Sequence, residues 1–244
     1  MTIAPTPLHR RRAHGHRLLV LVAVSAVIAL VAVGVTLLLH YDVFQSSSKS
    51  TATQGSGVAA AQTRTVSAFS SVELAGTNNV TILVGGKQLV VVHGDDNLLG
   101  HVTTKVRDGR LVVGTRGSFT TASPMSVEIR VPAVDALKLS GSGTVTADNI
   151  RAQSLTVTLA GNGLLRAGGT ANRLDVSLGG SGDAQLEQLV ARDVHAVLSG
   201  SGRIVVHATS KLDASVPGTG TILYSGNPAN VKTSISGQGA ITRK

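Results

Sequence analysis

From residue 133 onward, apolar and polar side chains alternate with a period of two, and Gly-x-Gly tripeptides interrupt the alternation at nearly constant intervals. The tripeptide occurs six times in this stretch, at Gly141–Gly143, Gly161–Gly163, Gly180–Gly182, Gly200–Gly202, Gly218–Gly220 and Gly237–Gly239. Successive first glycines are 20, 19, 20, 18 and 19 residues apart. The five later tripeptides are preceded by one pattern: Leu155-x-Val157-x-Leu159, Leu174-x-Val176-x-Leu178, Val194-x-Ala196-x-Leu198, Leu212-x-Ala214-x-Val216 and Val231-x-Thr233-x-Ile235. Two residues after each second glycine stands another apolar side chain: Val145, Leu165, Ala184, Ile204, Ile222 and Ile241. Period-two alternation on both sides of a glycine turn predicts strand, corner, strand.

The nine residues from the first apolar position through the second glycine keep a constant length, and the return segments absorb all variation, at 9 to 11 residues. Rigid stacked sides with insertions confined to one edge predict a β-solenoid of 18–20-residue coils. A sandwich or a meander of hairpins explains the alternation, but not six corners in one phase. Stacked coils would line up Leu139, Leu159, Leu178, Leu198, Val216 and Ile235 as an inner ladder. The twelve corner glycines are read as structural, because a tight corner repeated at strand spacing needs positive φ or close backbone approach. The middle core position shrinks from Leu137 through Val157, Val176, Ala196 and Ala214 to Thr233, which predicts a tapering cross-section. Thr242-Arg243-Lys244 would blunt the last sheet edge with charge.

Residues 64–132 are strand-rich but less regular. Val80-x-Ile82-x-Val84 and Leu89–Val92 flank a Gly85-Gly86 turn. Asp108-Gly109 between His101–Val106 and Leu111–Val113 is a two-residue hairpin signal. Met125–Val131 alternates into Pro132. This part is expected to continue or cap the stack.

The N-terminal pattern is different. Residues 18–39 are 22 consecutive residues without a charge, and a helix of that length, rising 1.5 Å per residue, spans a hydrocarbon core of roughly 30 Å. A cleaved signal peptide would have an apolar region of about 7–15 residues and a small-x-small cleavage site, so the segment is read as an uncleaved transmembrane signal anchor. Arg10, Arg11, Arg12 and Arg17 precede it, and Asp42 and Lys49 are the first charges after it. Positive flanks stay inside; residues 1–17 are therefore expected to be a cytoplasmic basic tail, and the C-terminal part to be extracellular on a single-pass cell-membrane protein. Residues 40–63, dominated by Ser, Thr, Gly, Ala and Gln, are read as a flexible stalk leading to a solenoid over 64–244.

Composition narrows the chemistry. The 244 residues contain no Cys and no Trp, and aromatics make up 2%, which excludes a disulfide framework, a thiolate zinc site and a cysteine nucleophile. The net charge of +9 is partly that of the tail: from Tyr41 onward there are 18 basic and 13 acidic residues. With the basic run set against an apolar segment, nucleic acid is not an expected partner. Gly-x-Gly here joins strand to strand, with no Lys-Ser/Thr behind it, so no nucleotide or other cofactor is expected. Asp95-Asp96-Asn97 lacks the alternate acids and terminal Glu of a calcium loop and is read as a solvated turn. One outward row is chemically distinctive: Ala136, Thr156, Asp175, His195, Asp213 and Lys232. Coils in register would set His195 between two carboxylates. A weak metal or pH-sensitive site at Asp175, His195 and Asp213 is one reading, and a surface charge ladder is preferred because ligands on a straight row converge poorly on one ion.

Several of these segments resemble a known family. Arg64-Thr-Val-x-x-Phe69, Gly94-Asp-Asp-Asn-Leu-Leu99, Asp108-Gly-Arg-Leu111 and Val127-x-Ile129-x-Val131-Pro132, followed by repeated Leu-x-Leu-Ser-Gly-Ser-Gly, are similar to the bacterial head GIN domain family, described as putative auto-transporter adhesins. The resemblance covers roughly residues 64–243. It implies a right-handed single-stranded β-helix at the cell surface or in the envelope, without established catalytic residues. Asn162, Thr219 and Gln238 replace the middle serine of three corners, and Pro217 replaces the serine before the fifth. The expected function is a non-catalytic adhesin or envelope binding or scaffold module. Its partners would be the membrane, through 18–39, and an anionic envelope polymer, a surface glycan or a protein. The alternatives are the ectodomain of an envelope sensor or regulatory system and a polysaccharide-active β-helix enzyme.

Overall fold

Apolar side chains at every second position are buried together only when each strand turns one face inward, and the computed structural model, which describes residues 52–244, is built this way. In chain order the strands are β1 (Thr53–Gln54), β2 (Ala59–Thr63), β3 (Ser71–Leu74), β4 (Asn79–Val84), β5 (Leu89–Asp95), β6 (Val102–Arg107), β7 (Arg110–Thr115), β8 (Phe119–Thr120) and β9 (Ser126–Val131). They continue with β10 (Ala136–Leu139), β11 (Thr144–Leu159), β12 (Leu164–Leu178), β13 (Asp183–Leu198), β14 (Arg203–Val216), β15 (Thr221–Ser225), β16 (Asn230–Ile235) and β17 (Ala240–Arg243). The protein is all-β, a solenoid; one 3-10 turn, Leu99–His101, is the sole helical piece among the described residues. No helix there is long and apolar enough to cross a membrane. The basic tail 1–17 and the apolar segment 18–39 lie outside the described residues.

Each long strand β11 to β14 is nearly a whole coil, running from one glycine corner to the next and bending on the way. Two parallel ladders result. On the long side, β7, β3, β10, β11, β12, β13, β14 and β16 pair in that order. On the side that follows the corner, the order is β9, β4, β11, β12, β13, β14, β15, β17. Register shifts between Ala147 and Ile150, Arg166 and Gly169, and Leu186 and Val190 mark the mid-coil bends, where the insertions fall. The inner ladder from Leu139 to Val216 is buried throughout. The middle row does lose volume at Ala196 and Ala214, but the post-corner side gains it through Ala147, Ala167, Leu186 and Val206, all buried. The expected taper is therefore offset within the coil.

The order of the first coils was not expected. β7 and β9 come later in the chain than β3 and β4, yet they form the outermost coil, and the β3–β4 coil lies inside it. After β9 the chain passes over that inserted coil to β10. Asp135 holds the crossing: Ser70 Oγ and Ser71 Oγ donate to its two carboxylate oxygens at 2.6 and 2.9 Å, and its backbone N–H donates to Ser70 O. The intervening residues make antiparallel caps. β6 pairs with β7 through the Asp108-Gly109 turn, β5 pairs with β9, and β2 pairs with β5. Residues 53–54 and 59–63 are thus strands of this body rather than stalk, since β2 finds an edge partner in β5 and β1 finds one in β8.

Candidate functional site

With the interior filled by aliphatic side chains, any recognition chemistry must lie on the corners and outer faces. The corners come first because they place everything else. None of the twelve corner glycines has positive φ. The reason for glycine is close approach alone: a Cβ on Gly200 would run into the backbone carbonyl of Gly180, and one on Gly202 into that of Gly182. The same carbonyls accept N–H bonds from the next coil, Ser201 to Gly180 at 3.2 Å and Arg203 to Gly182 at 3.1 Å. Left-handed backbone is needed instead at the mid-coil bend, at Asn149 (φ 63°) and Gly169 (φ 130°).

The long side carries the distinctive row. Thr156, Asp175, His195, Asp213 and Lys232 are cross-strand partners in succession, with Ala136 before them. A second row runs beside it: Ser154, Arg173, Asp193, Lys211 and Asn230. The two rows form a checkerboard of opposite charges around a shallow hollow of about 280 Å³ lined by Arg173, Asp193, Val194, His195, Lys211 and Asp213. Arg173 grips both oxygens of Asp175, at 2.8 and 3.0 Å. This bond holds the Asp175 carboxyl below its ordinary range against the opposing effect of partial burial, and the charges of Arg173 and His195 add to it. His195 Nδ1 lies 4.0 Å from Asp213 Oδ2. Asp175 is engaged by Arg173, and among the described residues no group of three or more His, Asp or Glu is arranged to hold a metal ion.

A larger cleft, about 450 Å³, crosses three coils at the corners and is lined by Ser181, Gly182, Asp183, Ser201, Gly202, Arg203, Thr221 and Leu223. Arg203 Nη2 stands 3.9 Å from Asp183 Oδ2. Gln185 Nε2 donates to the same oxygen at 3.0 Å, and Arg166 Nε donates to Gln185 Oε1 at 2.9 Å. Asp183 Oδ1 is buried and has no hydrogen-bond partner among the described residues. Thr219 Oγ1 donates to Ser201 Oγ at 3.1 Å across adjacent corners. Sequence reasoning assigned these glycines to the turns and passed over the polar pair behind them. The signal was present as charged residues just after two consecutive corners, Asp183 and Arg203.

Asp95-Asp96-Asn97 opens a turn in which Asp96 and Asn97 are exposed, as expected of a solvated turn, but Asp95 is not, and the three form a clasp. Asp95 is fully buried, at 0% exposure, and accepts the N–H groups of Ala122 at 2.8 Å and Ser123 at 3.2 Å. The Ala122 bond is the main reason its carboxyl is held below the usual range; burial opposes it, and Ser123 and Gly57 reinforce it. Ser56 donates its hydroxyl to Asp96 and its N–H to Asn97 Oδ1, while Asn97 Nδ2 donates to Gln54 O. The clasp ties the arm of residues 54–57 to the cap.

A model of the family described as "Putative auto-transporter adhesin, head GIN domain" matches residues 68–228, about two thirds of the chain. The chain belongs to the head GIN domain family. Nothing matches among curated proteins. Among solved structures, a putative adhesin from Bacteroides fragilis NCTC 9343 superposes with a TM-score of 0.64 at 23% identity, covering 78% of this chain and 99% of that one. A putative lipid binding protein from Parabacteroides distasonis ATCC 8503 is similar at 21% identity and a TM-score of 0.48, over 78% of this chain and 98% of its own. The first likeness shows the fold over 78% of the chain.

Proposed function

We propose that this GIN-domain chain is a non-catalytic binding module of the bacterial envelope, anchored in the cell membrane through residues 18–39 with residues 1–17 cytoplasmic and the solenoid outside. Membership of a family described as adhesins carries the reading. Two features of the chain support it. The arginines before the apolar run, with no acid among residues 1–17, set its orientation by the positive-inside rule. On the long side acids and bases are paired off along the outer sheet face, as Arg173 is with Asp175, an arrangement suited to contacting a surface and unlike the convergent groups of a catalytic cleft.

The partner class is a surface polymer of the envelope, met by outer faces that repeat at strand spacing, about 4.8 Å. The test is capture of the full chain, held in phospholipid nanodiscs, by purified cell-wall and surface-polysaccharide fractions. Retention on at least one polymer fraction is expected. No retention on any of them, with the protein folded, contradicts the reading.

A further inference from the structure

We infer that the corner cleft between Asp183 and Arg203 is a recognition site for a neutral saccharide, a proposal that rests on the binding-module reading and names its ligand class. At about 450 Å³, the cleft falls in the range of small-ligand sites, roughly 300–1,000 Å³. Its chemistry follows from one separation. Arg203 Nη2 and Asp183 Oδ2 stand 3.9 Å apart, too far for a direct hydrogen bond yet close enough for a single oxygen to lie within bonding distance of both. That oxygen must accept from the guanidinium and donate to the carboxylate. A hydroxyl does both. A phosphate or carboxylate has only acceptors to offer and would face Asp183; an ammonium has only donors and would face Arg203.

The surroundings fit several hydroxyls rather than one. Ser181, Ser201 and Thr221 stand on successive coils along the cleft. Because Ser201 Oγ accepts from Thr219, its own proton is directed elsewhere. Gly182 and Gly202 give a floor without side chains, and Leu223 supplies an apolar patch for ring C–H groups. The carboxylate is set in advance by Gln185, itself held by Arg166, so little order is lost on binding. Asp183 Oδ1 is buried, so Oδ2 is the oxygen that meets both Arg203 and a ligand hydroxyl. No aromatic ring lines the cleft for stacking, so a single site binds weakly, and repeated contacts along a polymer supply avidity.

The experiment is saturation-transfer NMR on the full chain in nanodiscs, which avoids sugar-based detergents. The probes are cellobiose, mannobiose, N,N′-diacetylchitobiose and, as the acidic counterpart, digalacturonate. At least one neutral disaccharide is expected to bind with Kd of about 1–10 mM. Arg203→Met and Asp183→Asn are each expected to weaken it by about tenfold, the loss of roughly one charge-assisted hydrogen bond, while Thr146→Ala leaves it unchanged. Thermal melting checks that the variants fold. Silence from every neutral probe, binding of digalacturonate alone, or binding indifferent to both cleft variants overturns the proposal. If envelope polymers still capture the chain after such a result, the module reading stands without this site; if capture fails as well, both fall.

Discussion

At the residue scale, two kinds of position carry the structure, and for the first the structure decides between two reasons that the sequence left open. Alternation in the sequence located every corner glycine, but positive φ was offered as one reason for them. The backbone is ordinary there, and it is the carbonyl of the preceding coil that excludes a side chain. Gly200→Ala is therefore expected to cost about 1–3 kcal/mol, the usual range for overpacking, although alanine has no conformational objection to the site. Ser201→Ala, between the same glycines and exposed, should cost under about 0.5 kcal/mol. Urea denaturation separates the two, and equal costs would contradict the close-approach account. Asp95 is the second kind. Its folded pKa lies below the unfolded value of about 3.9, so the folded state binds fewer protons in that window. Its stabilisation is full above the unfolded pKa and is lost as pH falls through the folded one. Asp175 and Glu73 shift in the same direction; for Glu73 burial pushes upward, and the hydrogen bonds from Ser140 and Lys138 together with the charges of Lys138 and Arg110 outweigh it. Between pH 5 and pH 2 the urea midpoint should fall, and Asp95→Asn should fall less steeply than the native chain. Parallel slopes would remove Asp95 from the account.

At the scale of elements, the strands were legible and their order was not. Period-two alternation identifies which face of a strand is buried, and the Asp108-Gly109 hairpin and the Gly-x-Gly corners identify where it turns. Neither records which strand lies beside which. The β3–β4 coil lies between the β7–β9 coil and the β10–β11 coil. Its buried Val72, Leu74, Val80 and Ile82 carry the same aliphatic pattern as the other coils, so the pattern does not reveal its place. The crossing depends on Asp135, an exposed residue with no periodic signature. The same blindness turned residues 53–63 into a stalk: a small polar strand such as β2 gains its place from the edge of β5 rather than from its own pattern. Native-state hydrogen exchange tests the insertion. Amides of Val72 and Leu74 should exchange only through openings near the global unfolding free energy, as expected for a strand with partners on both sides. Val231 and Ile235 of β16, at 47% and 49% exposure, should exchange far sooner. If β3 opens with the N-terminal arm, the coil order is wrong.

At the scale of the whole molecule, the described residues form a stack of coils with antiparallel strands over one end, an aliphatic core, and recognition chemistry restricted to what each coil presents outward. With the interior so filled, what a partner can meet is the set of small and charged residues around the corners and outer faces. The outward row at His195 could be read from the repeat register alone. The Asp183–Arg203 pair follows from the same register, each residue standing directly after the second glycine of its corner, and it was passed over because those corners were read for their glycines alone. The central claim is that this exterior faces the outside of the cell on an uncleaved anchor. Protease treatment of intact cells producing the chain, followed by mass spectrometry of the protected fragment and of the mature N-terminus, addresses it most directly. The account predicts that the solenoid is accessible while residues 1–17 remain attached and protected. A solenoid protected in intact cells, or a mature chain that begins after residue 39, would contradict it.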